Sequence, residues 1–208
     1  MELSLLQKVL RTIASIAQVP VIILLIVFIG FSLFCIGWIT VEGIKERLHL
    51  NYHLSRLLDT MRSGSKSITE CVENSGLLVR QKAALLELTR HPDFNKEMLL
   101  ALEDNLIEAE QAHYDSILMW TGLISKLAPM AGLLGTLIPL GPGIIALGKG
   151  DTYTLSQSLL TAFDTTIAGL IAAGICLTVH TFRSSWYKKY MVDLETLADC
   201  IVEMETEQ

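Results

Sequence analysis

A carboxylate and three threonines lie inside two long apolar stretches of the sequence. Thr136 falls near the middle of one stretch, and Asp164, Thr165 and Thr166 fall near the middle of the other. A carboxylate at the centre of a bilayer costs about 2.5–3.5 kcal/mol, so it should face a protein interior or a water-filled path. Hydroxyls on adjoining helix faces beside such a carboxylate indicate the lining of a path that passes protons to water.

Simpler explanations of the same residues remain open at this point. Asp164 near the mouth of a span would pair with Lys149 or cap backbone groups. A threonine in a spanning helix often only donates to the carbonyl one turn earlier. The residue types therefore define a hypothesis, which the surrounding elements must support.

The composition places these residues in a membrane. Of 208 residues, 51% are hydrophobic and 18% are charged, and the mean hydropathy is +0.46. Three blocks, residues 20–41, 117–148 and 155–182, hold most of the apolar side chains, and each reaches the roughly 20 residues that a spanning helix needs. We therefore predict an all-α membrane protein with three transmembrane helices and long cytoplasmic helical extensions.

The remaining segments also indicate helices. Residues 1–19 carry an amphipathic pattern that fits either a helix on the membrane surface or one packed on protein. Residues 42–116 form a charged helical segment, with breaks predicted at residues 62–65, 74–76 and 90–93, and residues 149–154 form a short turn outside the membrane. On the helix that follows the break at residues 90–93, an apolar stripe is predicted at Phe94, Met98, Leu102, Leu106 and Ala109. Residues 183–208 form a cytoplasmic C-terminal helix, whose apolar stripe is predicted at Leu194, Leu197 and Ile201.

Lysine and arginine near the span ends predict the orientation. More of them flank residues 42–116 and the C-terminal segment than flank the N-terminus and the turn at Lys149. The N-terminus is therefore expected outside and the C-terminus in the cytoplasm.

Several functional classes lack support in the sequence. The four cysteines have no paired spacing, so neither disulfides nor a metal site is predicted. No basic tract indicates nucleic acid, and no phosphate-binding loop or nucleophile–base pair indicates an enzyme or a cofactor. The first apolar block is long for a secretory signal and has no cleavage site, so we expect it to be retained.

The second and third blocks differ from the first in carrying faces of small residues. Such faces let membrane helices approach closely, so close packing of the two spans is predicted. The packing residues are expected to be Ala128, Gly132, Gly135, Ala162, Gly169 and Ala173.

Two motifs carry a resemblance to a known family. They are LAPMAGLLGTL at residues 127–137 and AFDTTIAGL at residues 162–170. With these motifs, and with the order of one span, a charged helical segment, two close spans and a tail, the chain resembles the MotA/TolQ/ExbB proton-channel family as a divergent member similar to ExbB and TolQ.

The resemblance implies a function and an assembly. It implies a homopentamer in the inner membrane around a single-span subunit similar to ExbD, TolR or MotB, whose membrane aspartate carries protons and drives movement of that partner. It also implies that Thr136 and Thr166 face the pore, with Thr165 as the substitute if the alignment is one residue off. The glutamate that ExbB-like and TolQ-like members carry is replaced here by Thr161, and the acid is Asp164.

Two other functional classes are weighed against this one. A small-solute or metal transporter would need ligands at the midplane or inverted repeats, and three spans provide no even repeat. A structural scaffold would use the small faces only to build an oligomer, which leaves Asp164 and the threonines without a role.

Overall fold

The computed structural model of the chain describes residues 2–49, 54–62, 68–91 and 94–206, and these residues form helices joined by short turns, with no strand among them. The helices are α1 (Glu2–His49), α2 (Leu54–Arg62), α3 (Ile68–Glu73), α4 (Val79–Leu88), α5 (Lys96–Gly148) and α6 (Thr152–Thr206). A turn follows α3 at residues 74–76, and α4 ends before residues 89–90. The predicted break at residues 62–65 begins where α2 ends, at Arg62, and residues 63–65 lie outside the described residues, as does Pro92.

Three helices, α1, α5 and α6, are long and apolar enough to cross a membrane. Their most apolar windows have mean hydropathies of 3.0, 1.8 and 1.7, respectively. This confirms the predicted all-helical protein with three candidate spans. The most apolar window of α1 is also more hydrophobic than those of α5 and α6, the two helices that carry the candidate polar residues.

A tight turn joins α5 to α6. Gly150 has φ +77°, a conformation that glycine adopts without steric cost, and the N–H of Asp151 donates to the carbonyl of Ala146 at 2.9 Å. The carboxylate of Asp151 accepts from the N–H and the hydroxyl of Thr154. These bonds hold the pKa of Asp151 below its usual value and cap the start of α6.

The chain forms two compact units. Unit 1 comprises Met1–Trp38 and Met119–Thr181, and unit 2 comprises Ile39–Leu118 and Phe182–Gln208. In unit 1, an apolar cluster joins side chains of all three long helices. Its members are Val21, Leu25, Phe28, Ile124, Ala128, Ala131, Ala172, Ala173 and Cys176.

Unit 2 has its own apolar core, built from several helices. The predicted stripe of the C-terminal segment, Leu194, Leu197 and Ile201, is buried there, together with Leu85 and Val72. A smaller cluster contains Tyr114, Tyr187 and Tyr190, whose rings lie 4.6–6.5 Å apart. Burial of apolar and aromatic surface stabilises this unit.

The stripe predicted for the first part of α5 is only partly right, because Leu102 and Leu106 pack against the core of unit 2 and the other three residues do not. Phe94, Met98 and Ala109 are exposed. The buried positions of α5 in this region include Leu99 and two acids, Glu103 and Glu110. Apolar periodicity alone cannot identify a helix face that contains buried carboxylates, because each buried acid depends on a compensating interaction or on protonation.

Glu110 is compensated by an ion pair, whereas burial shifts Glu103 toward its protonated form. Arg80 donates to both carboxylate oxygens of Glu110 at 2.8 and 3.1 Å. Glu103 is 3% exposed, and among the described residues its Oε1 has no hydrogen-bond partner. Burial, followed by the charge of Asp199, raises the pKa of Glu103 from 4.5 to about 7, because both disfavour the ionised form.

A Glu103→Gln variant is expected to be more stable than the wild type at pH 8 and nearly equal to it at pH 4. Because the folded-state pKa lies above the ordinary value of 4.5, the folded chain holds more protons than the unfolded chain between pH 4.5 and 7. The unfolding free energy therefore falls as the pH rises through this window, and the loss is complete above it. The raised pKa corresponds to about 3 kcal/mol.

This expectation is checked by thermal unfolding midpoints of detergent-solubilised protein between pH 4 and 8. Glu108→Gln, at an exposed position on the same helix, is the control and should follow the wild-type curve. Parallel curves for Glu103→Gln and the wild type would contradict the prediction.

A buried ion pair in unit 2 joins α1 to α6. Arg183 is 5% exposed, and its Nε and Nη2 donate to Oε2 of Glu42 at 3.0 and 2.6 Å. The hydroxyl of Tyr187 donates to the other oxygen, Oε1, at 2.8 Å. Each carboxylate oxygen is therefore satisfied, as a buried charge requires.

Candidate functional site

The two helices that carry the candidate residues, α5 and α6, run antiparallel in close contact within unit 1. A Cβ added at Gly169 would lie 2.6 Å from the carbonyl oxygen of Ala128 and 3.0 Å from Cα of Gly132. A Cβ added at Gly143 would lie 2.9 Å from Cβ of Ser158. Only glycine allows the backbones to approach this far, which is the packing that small faces permit.

All six residues expected to pack the spans are buried. Ala128 is fully buried, Ala162 and Ala173 are less than a tenth exposed, and Gly132, Gly135 and Gly169 are also in the buried class. The small faces therefore meet each other within one chain.

Thr165 lies within this helix contact. It is 7% exposed, and a Cβ added at Gly135 would lie 2.6 Å from its Cβ and 2.7 Å from its Oγ1. Its hydroxyl donates to the carbonyls of Thr161 and Ala162 in its own helix. In the folded chain Thr165 is a packing residue whose hydroxyl is satisfied locally.

Thr136 and Thr166 lie at the margin of the contact and are partly exposed. Oγ1 of Thr136 donates to the carbonyl of Leu133 at 2.7 Å, and Oγ1 of Thr166 donates to the carbonyl of Ala162 at 3.2 Å. A hydroxyl that donates in this way keeps lone pairs for accepting hydrogen bonds. Both side chains are therefore able to accept from water or a protonated group.

Asp164 is exposed on the surface of the single chain. It is separated from Thr166 by two residues, or about 200° around an α-helix, so the two side chains lie on nearly opposite faces of α6. The ion pairs among the described residues do not include one between Asp164 and Lys149. Its neighbours Phe163 and Ile167 are 61% and 55% exposed, so this carboxylate sits on an otherwise apolar surface.

That placement has a consequence for a membrane protein. A carboxylate on a lipid-facing surface is costly, so the face of α6 with Asp164 should meet water or another protein surface in the membrane. The structure thus brings Thr136 and Thr166 to the margin of one helix contact, and places Asp164 on a face that a single chain leaves uncovered.

The sequence prediction missed one polar contact between the same helices. Oγ1 of Thr121 lies 3.3 Å from Nδ1 of His180, and the side chain of Thr121 is 1% exposed. The available signal was the position of His180 inside the third apolar block, where an ionisable residue is itself notable.

No metal cluster of three or more His, Cys, Asp or Glu side chains is present in the part of the chain that the structure describes. The candidate polar groups described above are the hydroxyls of Thr121, Thr136 and Thr166, the carboxylate of Asp164 and the imidazole of His180. This set can accept, donate and relay protons.

Comparison with known proteins identifies the family to which the chain belongs. The family model described as the MotA/TolQ/ExbB proton channel family matches residues 79–196, which include all of α5 and most of α6. No curated protein matches the chain.

Proposed function

The chain belongs to the MotA/TolQ/ExbB proton channel family, and from this premise we propose that it is the channel subunit of an inner-membrane motor that converts the proton motive force into movement of a single-span partner. The observation that carries this proposal is the matched segment itself. It contains both spans with small faces and every polar residue predicted for a proton path. Members of this family are channel-type proteins rather than enzymes.

The proposed path is lined by Thr136 and Thr166. Asp164 lies on the opposite face of α6 and reaches the path only from an adjacent chain of the assembly. Support comes from the partial exposure of Thr136 and Thr166, since a residue that contacts protons or a partner's carboxylate must remain accessible after the chain folds. Thr165 contributes by holding α6 against Gly135. It is a positioning residue in this proposal.

The surface of unit 1 supports an assembly of several chains. The exposed carboxylate of Asp164 requires protein or water beside it in the membrane. A homopentamer around a single-span subunit with a membrane aspartate meets this requirement, because it places Asp164 beside protein or water rather than lipid.

The proposed orientation has the N-terminus and the Gly150 turn outside and the C-terminus in the cytoplasm. Unit 2, which carries Arg80, Arg183 and most of the acids, would then form the cytoplasmic part. The charged character of unit 2 and the apolar character of unit 1 support this division.

A Thr166→Val variant is expected to lose at least about tenfold in proton flux while the complex still assembles, because valine keeps the shape but removes the hydroxyl that meets the proton. The complex is purified from its own membranes through a tag on this chain and reconstituted into vesicles. A potassium diffusion potential drives protons, which a trapped pH-sensitive dye reports.

Thr178→Val is the matched control. Thr178 is exposed on the same helix and also donates to a carbonyl one turn earlier, that of Gly174, at 2.8 Å. Equal flux through Thr166→Val and the wild type would rule out the proposed path. Absence of proton flux through the wild-type complex would rule out the channel function and favour a structural scaffold, the second candidate.

A further inference from the structure

A histidine and a buried threonine face each other between α5 and α6, away from the proposed path residues. Nδ1 of His180 lies 3.3 Å from Oγ1 of Thr121. A Cβ added at the next residue, Gly122, would lie 3.1 Å from Cε1 and 3.3 Å from Nδ1 of the same ring. The imidazole thus lies against a glycine, and the hydroxyl of Thr121 is within hydrogen-bond distance of its Nδ1.

This arrangement differs from ordinary packing. His180 is the only histidine in unit 1, and an ionisable side chain in a spanning segment is costly unless it is paired or reaches water. Gly122 provides the space for the ring. His180 is partly exposed in the folded chain, so water or another proton donor can approach this residue.

The ring also lies in line with the proposed path. Fourteen residues separate Thr166 from His180 on α6, and fourteen separate Gly122 from Thr136 on α5. Four helical turns contain 14.4 residues, so each pair lies on nearly the same face of its helix, about 21 Å apart. The helices stay in contact over this length, at Gly132 and Gly169 and at Gly122 and His180.

We propose that His180, oriented by Thr121 and seated against Gly122, is a proton-binding residue at the far end of the path that Thr136 and Thr166 begin, a role that rests on the proposed channel function. In the proposed orientation this end is the cytoplasmic one. His180 receives protons that have passed the threonines and releases them to water.

In this step only Nε2 gains and loses a proton. With Nδ1 protonated and donating to Oγ1 of Thr121, the neutral ring has a lone pair on Nε2. Nε2 accepts a proton from a hydronium ion or a protonated group on the path, which forms the imidazolium. Loss of the same proton from Nε2 to water restores the neutral ring, while the bond to Thr121 is unchanged.

The test uses the same tagged complex and vesicle assay, with three substitutions. His180→Gln retains an amide that can hydrogen-bond to Thr121 but cannot exchange protons, and its flux is expected to fall about 100-fold. His180→Ala should lose flux similarly and regain it when imidazole is added to the vesicles. His113→Gln, the same substitution in unit 2, should leave flux unchanged.

Each outcome decides between the two proposals. Wild-type flux through His180→Gln overturns the role of His180 and leaves the channel function intact, whereas absence of flux through the wild type overturns both. Assembly is followed by gel filtration and by retention of the partner. If both His180 variants lose flux only in proportion to lost assembly, and imidazole restores none, His180 is a packing residue and this inference is overturned.

Discussion

A Gly169→Ala variant is expected to lose about 3 kcal/mol of stability in unit 1 and to fail to assemble normally. The added methyl would lie 2.6 Å from the carbonyl oxygen of Ala128, and 3.0 and 3.2 Å from Cα and N of Gly132. All three are backbone atoms, so no side chain can rotate away. The helices must separate, and overpacking of this kind typically costs about 1–3 kcal/mol, at the upper end here.

Separation of α5 and α6 would disturb more than local packing. Thr165 is held against Gly135, and Ala128 and Ala131 belong to the cluster that α1 completes with Val21 and Leu25. We therefore expect a lower thermal midpoint and a loss of proton flux together.

Gly174→Ala is the matched control on the same helix. A Cβ there meets nothing within 4 Å, and alanine favours a helix over glycine by about 1 kcal/mol. The thermal midpoint of this variant should be equal to or above that of the wild type. Midpoints of the two variants are compared in one detergent by circular dichroism, and equal midpoints would contradict the proposed backbone contact.

A Glu42→Ala variant is expected to lose about 3–5 kcal/mol of stability in unit 2, because it leaves a buried cation without its anion. Arg183 is 5% exposed and donates twice to this carboxylate, and Tyr187 donates once more. Removal of Glu42 therefore leaves the buried guanidinium without its carboxylate and removes one acceptor from the hydroxyl of Tyr187. The thermal midpoint and the denaturant midpoint should both fall.

An exposed ion pair of the same unit provides the control. Arg90 and Glu87 lie 2.9 Å apart, but their side chains are 72% and 38% exposed, so Glu87→Ala should cost no more than about 1 kcal/mol. The double variant Glu42→Leu with Arg183→Met should be more stable than Glu42→Ala, because no unpaired charge remains. Equal losses for Glu42→Ala and Glu87→Ala would show that the buried pair contributes no special stabilisation.

The general architecture was predictable because it depends on composition along the chain. A run of about 20 apolar residues can satisfy its backbone in a bilayer only as a helix, and the three predicted blocks fall in α1, α5 and α6. The family was also predictable, because its motifs at residues 127–137 and 162–170 are local sequence patterns and the matched segment contains both.

The burial of two acids on α5 was not predictable from apolar periodicity, although Leu102 and Leu106 of the predicted stripe do pack on the core of unit 2. Glu103 and Glu110 are buried, whereas Phe94 and Met98 are exposed. Arg80 reaches Glu110 across 30 positions of sequence, and burial followed by the charge of Asp199 raises the pKa of Glu103 to about 7. Neither Arg80 nor Asp199 is near its acid in the chain, so no local pattern contains the information.

The same distinction between sequence and tertiary structure applies to the candidate site. The sequence by itself determined that Thr136, Asp164, Thr165 and Thr166 lie within spanning helices, because hydrophobic length decides which segments enter a membrane. Only the tertiary structure decided which of them face another helix. Neighbouring residues point about 100° apart, and the partner helix selects one of those directions: Thr165 packs on Gly135, while Asp164 remains outside.

The contact of His180 with Thr121 and Gly122 depends on the same selection. The sequence shows a histidine near the end of the third apolar block, but its partners lie 58 and 59 positions earlier on another helix. They meet because glycines bring two antiparallel helices into backbone contact in one register. The chain therefore encodes its spans locally, whereas packing between the helices determines where its polar groups face.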